Sequence, residues 1–204
     1  MAMTTYPRHR EADVVLRDGS TVHVRPARPA DAAAVEQLLK GLSERSRWLR
    51  FFSGYPDLEK AVQWATDVDY DHRYGLVAST GADGRVVAAA GWERQPDHPE
   101  RAEVALEIAD AMQGKGLGTI LLGQLAEAGA ELGVQVLEAE VLSDNYRIFR
   151  VFRDCGFPVK THTLPGVLLI EFPTSLSPDA LERFEQREQV AATAALRSFR
   201  DRWR

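Results

Sequence analysis

Apolar positions along this chain recur at spacings of two and of three to four, and the changes between those periods lay out its elements. Residues 14–16 and 21–24 read as short strands around Arg17-Asp18-Gly19-Ser20, a hairpin turn in which glycine supplies the positive φ. Over residues 30–40, Ala34, Val35, Leu38 and Leu39 repeat at helical spacing, and Gly41 closes the segment. A second helix is predicted from Ser43, carrying Arg45, Arg47, Trp48 and Arg50 toward Phe51 and Phe52, and a third over residues 57–67 with Leu58, Val62 and Ala65 in register. Residues 74–79 and 85–92 form a further hairpin, and the alanines of its second strand leave little room above it. Residues 93–101, with two prolines, read as an exposed loop. In residues 102–109, Val104, Leu106 and Ile108 share one face while Glu103, Ala105, Glu107 and Ala109 share the other, a strand with two carboxylates on one side. A glycine-rich turn over residues 113–118 opens a long helix to about Leu132. A strand at 136–142, a helix at about 145–155 and strands at 158–163 and 167–172 follow. Residues 173–178 mark a boundary, after which 179–204 reads as an amphipathic helix with Leu181, Phe184, Leu196 and Phe199 on its apolar positions.

Composition narrows the function classes. With 204 residues, 45% hydrophobic and 27% charged, the chain suits one ordinary domain with an appended helix, and it is too apolar to be disordered. Lys and Arg number 25 against 30 Asp and Glu, a net charge of −5, which disfavours nucleic acid as a partner. A lone cysteine, Cys155, builds neither an internal disulfide nor a multi-cysteine metal site, and the five histidines show no ligand spacing, so no metal is expected. No stretch reaches the ~18 apolar residues of a membrane span, and residues 1–10 lack the apolar core of a secretory signal. A cytoplasmic protein without membrane contact is expected.

Chemistry concentrates at Gln113-Gly114-Lys115-Gly116-Leu117-Gly118-Thr119, between a strand and a helix. Amides at a helix start have no preceding carbonyls and converge on an anion, and glycines let it approach. Counted from Gly114, Thr119 stands where the third glycine of a dinucleotide fingerprint belongs, and the spacing also fails a P-loop. Glu138 and Glu140 keep a nicotinamide reading open as a weaker alternative.

Gln113-x-x-Gly116-x-Gly118 resembles the (Gln/Arg)-x-x-Gly-x-(Gly/Ala) pyrophosphate loop of the GNAT superfamily of acetyl-CoA-dependent N-acetyltransferases. Asn145 with Gly156-Phe157 looks like that family's second signature, and the element order over residues 14–172 is similar throughout. Val24-Arg25-Pro26, residues 42–52, Ala102-Glu103-Val104-Ala105 and residues 151–157 together resemble the bacterial protein-lysine acetyltransferase branch, whose GNAT domain often accompanies a cyclic-AMP-binding domain or an acyl-CoA-synthetase-like region. Residues 187–191 resemble the helical connector of synthetase-fused relatives, so this chain looks like the acetyltransferase part standing alone. The resemblance implies an α/β GNAT fold: a central, mostly antiparallel mixed sheet flanked by helices over residues 1–173, with a C-terminal helical extension over 174–204.

It further implies that acetyl-CoA is held by backbone from Leu106, Glu107, Ile108 and Ala109, by amides of Gln113, Gly114, Lys115, Gly116, Leu117, Gly118 and Thr119, and by the Asn145 side chain. An amide near Glu107 or Ile108 would hold the thioester oxygen. An amine attacks only as the free base, and a lysine with a reference pKa of about 10.4 is mostly protonated at neutral pH, so a carboxylate must collect the proton. Glu103 and Glu107 face the same way, about 13 Å apart along the strand, so one reacting carbon cannot lie near both. The family places its glutamate early on this strand, which favours Glu103 and keeps Glu107 as second candidate. Where many relatives carry a tyrosine acid this chain has Phe152, so no general acid is assigned. Cys155 is expected to be a buried structural thiol, Arg45, Arg47 and Arg50 a solvated face, with contact to an acidic acceptor or the nucleotide phosphate as the alternative, and Trp48, Leu49, Phe51 and Phe52 core. The implied activity is transfer of an acetyl group to a lysine ε-amine of a protein, with an acyl-CoA synthetase as a candidate acceptor. Acetylation of a small-molecule or N-terminal amine, and a non-catalytic acyl-CoA-binding domain, are the alternatives.

Overall fold

The computed structural model describes residues 5–81 and 84–175. Among them, eight strands form one sheet: β1 (Ala12–Val15), β2 (Thr21–Pro26), β3 (Arg73–Thr80), β4 (Arg85–Arg94), β5 (Arg101–Ile108), β6 (Val136–Leu142), β7 (Lys160–Leu164) and β8 (Val167–Pro173), in the spatial order β1-β2-β3-β4-β5-β6-β8-β7. Only β5 and β6 run parallel. The helices are α1 (Ala32–Lys40), α2 (Glu44–Phe51), α3 (Leu58–Thr66), α4 (Leu117–Glu131) and α5 (Tyr146–Cys155). α4 is the crossover that a parallel pair requires. The expected GNAT-like order of elements is thus present. The helix expected over residues 179–204 lies outside the described residues.

Local chemistry explains the element starts. Ser43 Oγ caps α2 by accepting from Ser46 N at 3.2 Å, and Asp57 caps α3 by accepting from Lys60 N at 3.1 Å. Alternation along the strands divides the apolar side chains between two layers. Ala88, Ala90, Trp92, Ala102 and Val104 join Leu117, Leu121, Leu122 and Leu125 of α4 in the larger core. Val77 and Ala89 pack with Val35, Leu38 and Leu39 of α1 and Ala65 of α3 on the other side. Gly91 belongs to this tight packing, since a Cβ there would stand 2.7 Å from the Tyr74 carbonyl oxygen. The small residues of β4 therefore allow the close layer that the sequence predicts.

Three short 3-10 turns, Arg8–Arg10, Pro29–Asp31 and Asp110–Met112, were not predicted; each is too short to generate a period. Past β8, Thr174 still belongs to the domain: its amide donates to Gln135 O at 3.0 Å and its hydroxyl to Val134 O at 2.7 Å.

Candidate active site

A gap in the sheet makes the site. β5 and β6 pair only at Arg101↔Val136, Ala102↔Leu137 and Glu103↔Glu138. Beyond that point β5 stays with β4 as far as Ile108 while β6 stays with β8 as far as Leu142, so the two strands part. Ala109 N donates to Val87 O at 2.8 Å, which fixes the antiparallel alternation: backbone groups of Ala105 and Glu107 face β4, and those of Val104, Leu106 and Ile108 face the gap. Of the four expected backbone contacts, Leu106 and the amide of Ile108 are therefore presented, the Ile108 carbonyl being taken by Gln113 Nε2 at 3.0 Å; Glu107 is not, because its backbone faces β4. Ala109 is not, because its amide is taken by Val87 and its carbonyl by Met112 N at 2.8 Å. The cavity along the gap holds about 580 Å³, and its walls include Arg50, Glu103, Glu107, Gln113, Gly116 and Asn145.

One end of the cavity is the glycine turn. Gly114 and Gly116 adopt φ of +77° and +92°, and Gly116 caps α4. The Gln113 amide, expected in the cradle, is taken by Asp110 O at 3.2 Å, but none of the amides over residues 114–119 donates to a loop or cap acceptor among the described residues, so they form an open set of donors. The β1–β2 turn braces this loop from outside: Arg17 N donates to Lys115 O at 3.0 Å, Lys115 Nζ meets Asp18 at 2.9 Å, and Arg17 meets Asp154 of α5 at 2.9 Å. Gln113 points its side chain inward, donating to Ile108 O at 3.0 Å and Ser46 Oγ at 3.1 Å and accepting from Arg147. Asn145 caps α5, its Oδ1 accepting from Ile148 N at 3.3 Å, which leaves its amide nitrogen for another partner. A free-amide cradle joined to an unpaired strand edge fits a diphosphate followed by a peptide-like arm.

The other end carries the carboxylates, in two different environments. Glu103 is the last paired residue before the strands part, and its side chain lines the cavity and makes no hydrogen bond or ion pair among the described residues. Desolvation by the enclosing walls raises its pKa above the ordinary carboxylate range; Arg50 opposes this, and Glu140, Glu93 and Glu138 add to it. Glu107 is only 4% exposed, and its Oε1 accepts from Arg50 Nε at 2.5 Å. Its Oε2 is buried without a partner.

α2 departs from expectation. It contributes no buried residue, Trp48 is 47% exposed, and Leu49 and Phe52 line the cavity instead of filling the core. Arg50 turns inward to Glu107 rather than into solvent, while Arg45 meets Asp144 at 3.1 Å on the surface. The helix is held to the loop by Asp110, which accepts from Ser43 N, Ser43 Oγ and Ser46 Oγ at 2.9, 2.7 and 2.6 Å. Burial pushes the Asp110 carboxyl up, but these bonds hold it below its ordinary value. Sequence reasoning missed Asp110, and Arg50, weighed there as a contact for an acidic acceptor or the nucleotide phosphate, instead meets Glu107.

The expectation of a buried thiol holds. Cys155 is buried, its thiol 3.6 Å from Thr119 O. Phe152 is buried against Phe172, and Tyr146 is 77% exposed. Glu138 is taken up by Arg101 and by Gln95 Nε2 at 2.8 Å, which removes it from the nicotinamide alternative. Among the described residues no cluster of three or more His, Cys, Asp or Glu could hold a metal ion, and no helix is long and apolar enough to cross a membrane.

Residues 21–158 match the family described as an acetyltransferase (GNAT) domain. Acetyltransferase Pat of Mycolicibacterium smegmatis is 32% identical over 146 residues, 70% of this chain and 43% of that protein, so the chain spans less than half of this relative. The crystal structure of the GNAT domain of S. lividans PAT is 37% identical, with a TM-score of 0.76 over 83% of this chain and 99% of that one. The structure of yncA from Salmonella typhimurium, determined with its cofactor acetyl-CoA, shares the fold at 20% identity and a TM-score of 0.61, covering 77% of this chain and 96% of that one.

Proposed function

Because the chain belongs to the GNAT family of acetyl-CoA-dependent N-acetyltransferases, we propose that it acetylates lysine ε-amines of proteins, with Glu103 as the general base. One observation carries this reading: a carboxylate with no partner stands where β5 and β6 part, in a cavity whose far end is a cradle of free amides. Acetyl-CoA supplies an acyl group activated as a thioester. The amides of residues 114–119 hold the diphosphate, and the gap-facing groups of Leu106 extend the sheet along the pantetheine arm. The Asn145 side-chain nitrogen donates to the same arm. Ile108 N, one of the two amides expected for the thioester oxygen, faces the gap and steadies the charge that develops there.

Glu103 takes the proton from the incoming ammonium, directly or through one water, and its raised pKa makes it a better acceptor than an ordinary surface carboxylate. Phe152 offers no proton to the departing thiolate, which is acidic enough to be protonated by water. A protein acceptor is supported by the exposed Tyr146 on the cavity wall, beside Arg147, and by the exposed Trp48 on α2. An acyl-CoA synthetase is one candidate acceptor. The catalytic unit in this reading runs through Thr174, one residue past the expected boundary at 173, with the extension after it.

The test is incubation with acetyl-CoA and a chemically deacetylated lysate, followed by mass spectrometry of acetylated lysines. New lysine acetylation dependent on Glu103 is expected; acetylation confined to small amines or α-amino groups would overturn the acceptor assignment. The cradle makes its own prediction. In Gly116→Ala, a Cβ enters at φ +92° and meets Arg17 at 3.3 Å. The left-handed conformation alone costs an L residue roughly 1–2 kcal/mol. Calorimetry should show acetyl-CoA binding weakened about tenfold, whereas unchanged affinity would remove Gly116 from the cradle.

A further inference from the structure

Glu107 is a puzzle in a purely structural account. A carboxylate buried with one oxygen unpartnered carries a desolvation cost that one hydrogen bond does not offset, and an apolar residue would avoid it. Its single partner, Arg50, is held from several directions. Nε donates to Glu107, the guanidinium lies 4.9 Å from the Phe51 ring centre and 5.6 Å from that of Trp64, and α2 itself is tied down through Asp110. The terminal nitrogens of Arg50 make no hydrogen bond among the described residues. A fixed cation thus stands in the same cavity as Glu103, without touching it.

We infer that Arg50, clamped by the buried Glu107 carboxylate, is a positioning residue whose charge keeps Glu103 competent as a base. The inference rests on the reading of Glu103 as base. The other groups around Glu103 cannot take this part. Glu93 on β4 is paired with Arg73 at 2.6 Å, and Glu138 on β6 with Arg101. Glu140 on β6 is a further carboxylate and works in the opposite sense. Arg147 and Arg150 line the α5 side but are exposed, and Arg147 is engaged by Gln113. Arg50 is the cation that opposes the enclosing walls and the surrounding carboxylates at Glu103. Glu107 both fixes that cation and draws part of its field away.

These two effects have opposite signs in variants, which a loss of packing would not reproduce. The full chain, labelled with ¹³C at glutamate side-chain carboxyls, is titrated by NMR, and Glu103 is identified by the signal absent from Glu103→Gln. Arg50→Met should move the Glu103 titration up by on the order of half a pH unit, the scale of one charge across a partly solvated cleft. Glu107→Gln should move it down, and Arg50→Lys, which keeps the charge, should leave it near the wild-type position even if Arg50→Met folds poorly. The acidic limb of kcat/KM for a lysine peptide that the wild type acetylates should follow in each case. Titrations that stay put, or that move the same way in Arg50→Met and Glu107→Gln while Glu103→Gln is slow, would overturn this inference alone. Undiminished turnover in Glu103→Gln would overturn it together with the base assignment.

Discussion

Replacing Glu103 with glutamine should lower turnover by roughly 10²-fold or more while acetyl-CoA affinity stays within about twofold of the wild type. The separation follows from geometry, because the amide cradle and the gap-facing edge of β5 are backbone and do not use this side chain. Folding should not suffer. A carboxyl whose pKa is raised in the folded protein binds its proton more tightly there than in the unfolded chain, so its contribution to stability falls as pH rises toward neutrality. The neutral glutamine escapes that loss, and the melting temperature of Glu103→Gln at neutral pH should equal or slightly exceed that of the wild type. The pH profile has the same origin: kcat/KM should drop on acidification at a pH above the ordinary glutamate range, and the drop should vanish in the residual activity of the variant. Steady-state rates of thiol release, calorimetry and thermal melts together check the set. Wild-type rates would move the base role to Glu107 or to water.

Trp92→Ala should be the most damaging single change to the fold, costing about 3–5 kcal/mol. Trp92 is fully buried, stacks on Tyr74 with ring centres 5.6 Å apart, and donates from Nε1 to Leu125 O at 3.2 Å. It joins β4 to α4, the helix whose first residues carry the amide cradle. Loss of the indole therefore opens a cavity beneath the element that orients the donor. Urea denaturation should show the fall as a lower midpoint. Trp92→Phe, which keeps most of the apolar area and loses the hydrogen bond, should cost nearer 1 kcal/mol. Equal midpoints for Trp92→Ala and the wild type would refute the anchoring role.

Local pattern made much of this molecule legible. Alternation in residues 102–109 put the two glutamates on one strand face, the glycines at 114, 116 and 118 marked the strand-to-helix turn, and helical spacing placed α2 and α3. What stayed hidden depends on side chains brought together from distant parts of the chain. Nothing around Arg50 reveals that Glu107 waits beneath it, and a polar helix such as α2 reads as a solvated one whether its arginines reach into a cleft or into water. Asp110 sits in a 3-10 turn too short to show a period, so its grip on Ser43 and Ser46 was invisible. The parting of β5 and β6 left no trace in the local pattern, since the residues on both strands continue to alternate as paired strands do.

That parting also bears on solubility. Unpaired strand edges invite other polypeptides to pair with them, and proteins generally shield such edges. Here two open edges face each other inside the sheet, with α2 along one wall and α5 along the other. Any neighbouring strand that would pair with them must first pass between those two helices. The protein thereby keeps open hydrogen-bonding edges without the sticky rim they would form at the margin of the sheet.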